Sequence, residues 1–234
     1  MEQNNSKIFR FNEKTDYIFY LSELITDLIQ KKDRLTNYHS EIELIIKNNP
    51  NAKFINSELY DSISDKTNRL FQYLFNLIGD ESKKAVSYRK FRKVLYKQRN
   101  LLNISLKELT QNENRILSDF NSLRNWGLHI PESLYLQKRV FFKMSSDFIN
   151  ANKNIIPIPQ YDNFEIEFLI KMKDEIGEVL ECCEKILNRM KTDYSSLIGQ
   201  EFRIEYENNL VKPYIFMKAV EKSWNAQNGK NEKI

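Results

Sequence analysis

Apolar residues at helical spacing run almost the whole length of this chain, with few chain-benders between them. Tyr17, Tyr20, Leu21, Leu24, Ile25, Leu28 and Ile29 recur at steps of three and four. On a helix such steps make one stripe. Leu59, Ile63, Leu70, Leu74, Leu77 and Ile78 repeat the pattern, as do Phe168, Leu169, Met172, Ile176, Val179, Leu180, Ile186 and Leu187. Glycine and proline number only five each. That is too few for the tight turns of a sandwich or barrel, or for a glycine-rich nucleotide loop. Hydrophobic residues make up 41% of the chain, enough to fill a core. The pattern predicts an all-α fold, an up-and-down bundle of about six to seven helices in a single domain spanning 1–234.

Local signals place the boundaries. The first helix is predicted from about Asn12, capped by Asn12 or Thr15, and stops at Asn48-Asn49-Pro50, because a residue before proline avoids the helical region. The second begins near Asn56 or Ser57 and ends at Gly79. Ser105 with Glu108 reads as a capping box that opens a helix near Leu106. Pro131 begins the next helix, which carries Leu134, Leu136 and Val140. The stretch 150–163 reads as a loop, Glu165–Met190 as an acidic amphipathic helix, and Tyr194–Trp224 as a last helical region interrupted near Pro213. The tail 225–234 is expected to fray.

Several classes are disfavoured. No run approaches 18 apolar residues, so no membrane span is expected. The first twelve residues lack an apolar signal core. Cys182 and Cys183 are adjacent, so they cannot form an ordinary disulfide or complete a zinc site. They read as buried small hydrophobes in a reducing, cytoplasmic setting. No metal and no cofactor is expected.

Between Lys83 and Arg99 lie eight basic residues and no acidic one, in a chain of net charge +4. Arg89, Lys93 and Lys97 fall at i, i+4 and i+8, one line along a helix, with Arg92 beside them and Tyr88, Phe91 and Tyr96 interleaved. Like charges at this spacing repel, which suits an anionic partner. The stretch reads either as a phosphate-tracking surface for single-stranded RNA, or as a solvated helix face whose aromatics point inward.

The other stretch with chemical content is Leu123-Arg124-Asn125-Trp126-Gly127-Leu128-His129-Ile130-Pro131-Glu132. Gly127 suits a helix end and Pro131 a helix start. On an unbroken helix Arg124 and His129 would lie about 140° apart. A break between them lets both face one cleft. Histidine, with an unperturbed pKa near ~6.5, can exchange a proton at neutral pH. Arginine can hold a phosphate bidentately and stabilise charge growing on it. Together they suffice to cleave RNA through its own 2′-hydroxyl without metal, leaving a 2′,3′-cyclic phosphate. DNA lacks that hydroxyl. The alternative is a helix–turn–helix corner in which Arg124 caps carbonyls, Trp126 packs and His129 bonds locally.

Arg124-Asn125-Trp126-Gly127-Leu128-His129 resembles the R-x(4–6)-H signature of HEPN domains, in the R-N-x-x-x-H form. It is most similar to small stand-alone prokaryotic HEPN proteins with R-N-W-G-x-H followed by I-P-E-S. The resemblance implies a helical bundle, usually a homodimer with two motifs facing across the interface. It also implies a metal-independent endoribonuclease of the toxin–antitoxin or phage-defence kind, with an antitoxin protein as partner in some members. Arg124 and His129 would be the catalytic pair and Asn125 a supporting polar residue. Non-catalytic nucleic-acid-binding modules and helical scaffolds are the rival readings. The bare signature is cheap, at roughly 0.3 chance matches in a chain of this composition, and Arg34-Leu35-Thr36-Asn37-Tyr38-His39 is a second instance. Requiring asparagine after the arginine lowers the expectation to roughly 0.01, and only Arg124 passes. Arg34 and His39 are expected to diverge on one continuous helix. Asp119, five residues before Arg124, reads as a solvated acid or as an orienting group.

Overall fold

The fold is all-α in a computed structural model that describes residues 11, 13–82, 85–128, 132–141, 154–155 and 158–227. Among these, helices span α1 (Lys14–Asn48), α2 (Ser57–Gly79), α3 (Tyr88–Gln98), α4 (Gln111–Leu128), α5 (Glu132–Phe141), α6 (Ile166–Ile198) and α7 (Ile215–Gln227). Two short strands, β1 (Phe54–Asn56) and β2 (Asn163–Glu165), pair antiparallel.

The two longest helices, α1 and α6, form the axis of the molecule and make its most extensive contact. Leu21, Leu28, Leu35 and Ile42 of α1 are wholly buried and spaced by sevens. On α6, Leu169, Ile176, Cys183, Met190 and Leu197 are also wholly buried and spaced by sevens. Two such repeats mesh as facing seams of the coiled-coil type. The run is antiparallel: Lys32 pairs with Glu184 at 2.6 Å, while Lys53, further along α1's direction, accepts a hydrogen bond from the N–H of Ile166 at 3.0 Å. Cys183 is thus a core residue of the α6 seam, and its neighbour Cys182 is half-buried.

The β1–β2 ladder was not legible in the apolar pattern. Ile55 lies opposite Phe164 and is buried. The ladder brings the starts of α2 and α6 side by side, and Tyr60, Phe164 and Phe168 cluster over it. Asn163, placed by sequence in the 150–163 loop, is a strand residue.

Caps explain most boundaries. The Asn56 side chain accepts the N–H of Leu59 at 3.3 Å and starts α2 as expected. At α1 the cap is Glu13, whose N–H donates to Asp16 at 3.0 Å, and not Asn12 or Thr15. The helix expected near Leu106 starts instead at Gln111. Thr110 and Glu113 form the box: the Thr110 N–H donates to Glu113 at 2.7 Å and the Glu113 N–H to Thr110 Oγ1 at 3.2 Å. Glu108 accepts from the Tyr96 hydroxyl at 3.1 Å and so is not a cap. α6 runs past Met190 to Ile198 and ends on Gly199, whose φ of 80° is the left-handed conformation glycine tolerates. Residues Tyr194–Ile198 therefore belong to α6, and the following segment is non-helical until α7.

α2 packs on α4 and on α1, and α3 packs on α2 and α1. These contacts carry the basic helix and the end of α4 to neighbouring places. No described helix is long and apolar enough to cross a membrane.

Candidate functional site

Asn125 apart, the polar side chains that hold Arg124 come from α2 and from Asp80 just past its end. Gln72, Asn76 and Asp80 are spaced by fours and run along one face of that helix, toward the last turns of α4. Gly79 permits the approach. A Cβ there would stand 2.6 Å from the backbone nitrogen of Asn121 and 3.0 Å from the Phe120 Cβ.

Arg124 lies one turn from the end of α4 and its guanidinium is held on three sides. Nε donates to Asn76 Oδ1 at 3.0 Å, and one terminal nitrogen donates to Asn125 Oδ1 at 2.9 Å. The other terminal nitrogen stands 3.4 Å from Asp80 Oδ2. Asp80 is buried and is itself oriented. The Ser82 N–H donates to it at 2.7 Å, and the Ser87 hydroxyl donates to its carbonyl. A guanidinium has five N–H groups. Three are engaged among the described residues, and the remaining edge can meet a ligand.

His129, with Ile130 and Pro131, lies outside the described residues. The break expected at Gly127 is displaced: α4 continues through Gly127 to Leu128. Gly127 instead admits a side chain from α2, since a Cβ there would overlap Gln72 Nε2 at 1.9 Å. Asp119 is not among Arg124's partners; Asp80 and Asn76 hold it. Their sequence signal was a polar residue at every fourth position, 72, 76 and 80, along the mainly apolar stretch that ends α2. The second arginine–histidine stretch lies wholly within α1. His39 stands 3.8 Å from Glu43 on the same helix, and Arg34 is exposed.

The basic stretch forms α3, capped by Ser87, whose hydroxyl accepts the Lys90 N–H at 3.2 Å. Its four singled-out cations all line one open cavity of about 420 Å³ between α3, the 99–110 loop and α4. Their situations differ. Arg92 is turned inward, 2.6 Å from Asp193 of α6, and donates also to the Lys107 carbonyl. The Tyr88 hydroxyl donates to the same carboxylate at 2.9 Å. Burial pushes the Asp193 carboxyl up against the opposing pull of Arg92, and burial likewise raises the Tyr88 phenol. Arg89 stands 3.3 Å from Glu81 and donates to the Leu117 carbonyl at 3.2 Å. Lys93 is ion-paired to the same Glu81, and its hydrogen bond holds that carboxyl below its usual range. Lys97 has no partner among the described residues. Tyr88 and Phe91 point into the core, whereas Tyr96 borders the cavity under Arg99, whose guanidinium lies 4.0 Å from the ring centroid. The stretch is thus both things the sequence allowed: an inward aromatic face and an outward basic one.

Among the described residues no cluster of three or more His, Cys, Asp or Glu is placed to hold a metal ion. No family model, curated protein or solved structure matches the chain.

Proposed function

We propose that this chain is a metal-independent endoribonuclease of the HEPN type. It would cleave single-stranded RNA through the 2′-hydroxyl to a 2′,3′-cyclic phosphate, in the cytoplasm. The observation that carries the reading is the tethered Arg124. Catalysis by charge stabilisation needs a donor set held in place before the charge develops. A guanidinium gripped by Asn76, Asn125 and Asp80, with an edge left over, meets that need. Arg124 would stabilise the phosphorane-like transition state, and Asn125 would keep the guanidinium in plane. His129, five residues on, would move the proton of the 2′-hydroxyl or of the leaving oxygen.

Trp126, Tyr135, Leu136 and Val140 are exposed on α4 and α5 around the motif. Apolar exposure of this kind fits a second copy of the chain covering the site, hence a homodimer. A toxin or phage-defence role, with an antitoxin protein as partner, follows only from the motif's resemblance.

The test is incubation of the purified protein with single-stranded RNA in EDTA, with a 2′-deoxy control. Cleavage of RNA alone, ending in a cyclic phosphate and abolished by His129→Ala, supports the reading. Undiminished cleavage by that variant sinks it. One observation favours a second reading, a non-catalytic nucleic-acid-binding module: Asp80 competes with any phosphate for Arg124. That reading expects RNA binding without turnover.

A further inference from the structure

The cavity between α3 and α4 is more specific than a basic surface. Four cations face it or back it, Arg89, Arg92, Lys93 and Lys97, and each is differently committed. Arg92 is neutralised from behind by Asp193. Arg89 and Lys93 share one carboxylate, Glu81, which is not itself part of the lining. Glu81 lies two residues past the end of α2, and its side chain is about a third exposed. It sits where an anion bridging Arg89 and Lys93 would sit, and no helix holds it there. The rest of the lining is Leu109, Asn114, Tyr96, the edge of the buried Leu117, and Glu108, whose carboxylate accepts the Tyr96 hydroxyl at 3.1 Å. A phosphate-sized anionic end joined to a flat, partly apolar body with hydrogen-bonding edges fits this arrangement, and a volume of about 420 Å³ accommodates it.

We propose that this cavity is a nucleotide subsite, in which a phosphate displaces Glu81 from Arg89 and Lys93, and the attached base lies over Leu109 beside Tyr96. Glu81 acts as an internal stand-in for the phosphate. It keeps the cations apart from weak anions and yields to a ligand that also supplies a base and reaches Lys97. Two connections join this subsite to Arg124. Asp80 and Glu81 are consecutive, one holding Arg124 and the other Arg89 and Lys93. Leu117 and Arg124 lie seven residues apart on α4, which is about 10 Å along the axis on nearly the same face. A single RNA strand spans that distance within a few nucleotides. The subsite's place on a cleaved strand rests on the endoribonuclease reading. Its nucleotide chemistry does not.

Binding to the full chain tests it, with adenosine monophosphate, inorganic phosphate and a 2′-O-methylated, uncleavable RNA oligonucleotide as probes. Glu81→Gln keeps the shape and removes the charge. It is expected to tighten both nucleotide probes by about three- to tenfold, and Lys97→Ala to weaken them by about tenfold. Lys97→Ala should also lower the salt slope of oligonucleotide binding by about one. Thermal melting of both variants checks that they fold. Unchanged or weaker nucleotide binding by folded Glu81→Gln overturns the proposal. Inorganic phosphate competing as well as the mononucleotide overturns the base contact. Mononucleotide bound without oligonucleotide assigns the cavity to free nucleotide; both bound assigns it to a strand. Loss of RNA cleavage in every preparation, with these binding shifts intact, removes the endoribonuclease reading and leaves the subsite standing.

Discussion

Arg92 with Asp193 and Arg124 with Asp80 are the same two residue types joined the same way, and they serve different ends. Arg92 and Asp193 are 5% and 1% exposed in their side chains and touch at 2.6 Å. The guanidinium is further tied to a carbonyl and the carboxylate to a phenol. Arg124 is 20% exposed, stands 3.4 Å from its aspartate, and leans on two asparagines. Burying a charge is costly unless every lone pair and proton is met. The first pair meets that condition by closing on itself, so it can specify how α3 docks on α6 and little else. The second is held and left open, the state in which a cation can still bind an outside anion.

Breaking each pair should separate the two roles, and the largest effect falls on the closed one. Arg92→Ala leaves Asp193 buried without its partner and is expected to cost about 3–5 kcal/mol in urea unfolding. The double change Arg92→Met with Asp193→Leu should recover most of that. An Arg92→Ala variant that unfolds no more easily than wild type would show that the pair adds no stability. Arg124→Ala is expected to cost only about 1 kcal/mol, but to lower RNA cleavage by about 10²–10³-fold. An equal loss of folding from both arginine variants would erase the distinction.

Asp80→Asn tests how Arg124 is held. Cleavage should fall by about tenfold with a smaller change in melting, since the asparagine still accepts the Ser82 N–H. Gly79→Ala probes the approach that brings Asp80 to α4. Its Cβ meets backbone, not a flexible side-chain end, so a loss of about 1–3 kcal/mol is expected. Gly127→Ala should cost less, because the clashing atom is the tip of Gln72, which can move.

The smallest effect concerns pH. Burial pushes Glu113 up, but hydrogen bonds from Arg189 and Thr110 outweigh it and hold the carboxyl below the ordinary 4.5. The Lys32 hydrogen bond does the same for Glu184. A carboxyl whose folded value lies below its unfolded one adds stability above the unfolded value and loses it as pH falls through the folded one. The urea midpoint should therefore hold steady above pH 4.5 and decline below it. A midpoint that stays level on acidification would show that these pairs add nothing.

The all-helical class, the start and end of α2, and the basic and motif stretches were legible because each rests on spacing within one segment. Periodicity of three and four needs no partner to be read. What failed to show had partners far away in sequence. The strand at Phe54–Asn56 is three residues long and exists only because Asn163–Glu165 lies beside it. Ser105 with Glu108 has the letters of a capping box, but Glu108 is drawn to Tyr96, and Thr110 with Glu113 takes the role, with Glu113 also bonded to Arg189 of α6 at 2.7 Å. Gly127 looked like a helix end and is a space for Gln72.

By its sequence alone this chain determined that it would be helical, where its cations gather, and that Arg124 precedes His129 in a form rare by chance. Which cation faces inward and which outward was left to tertiary structure. Arg92 and Lys93 are neighbours on one helix and indistinguishable in a charge count. The fold turns the first inward onto Asp193 of α6 and leaves the second exposed, paired with Glu81. Asp80 and Asn76 become Arg124's partners for the same reason. Their carboxylate and amide are ordinary surface chemistry until Gly79 lets α2 approach α4 closely enough for a hydrogen bond to form.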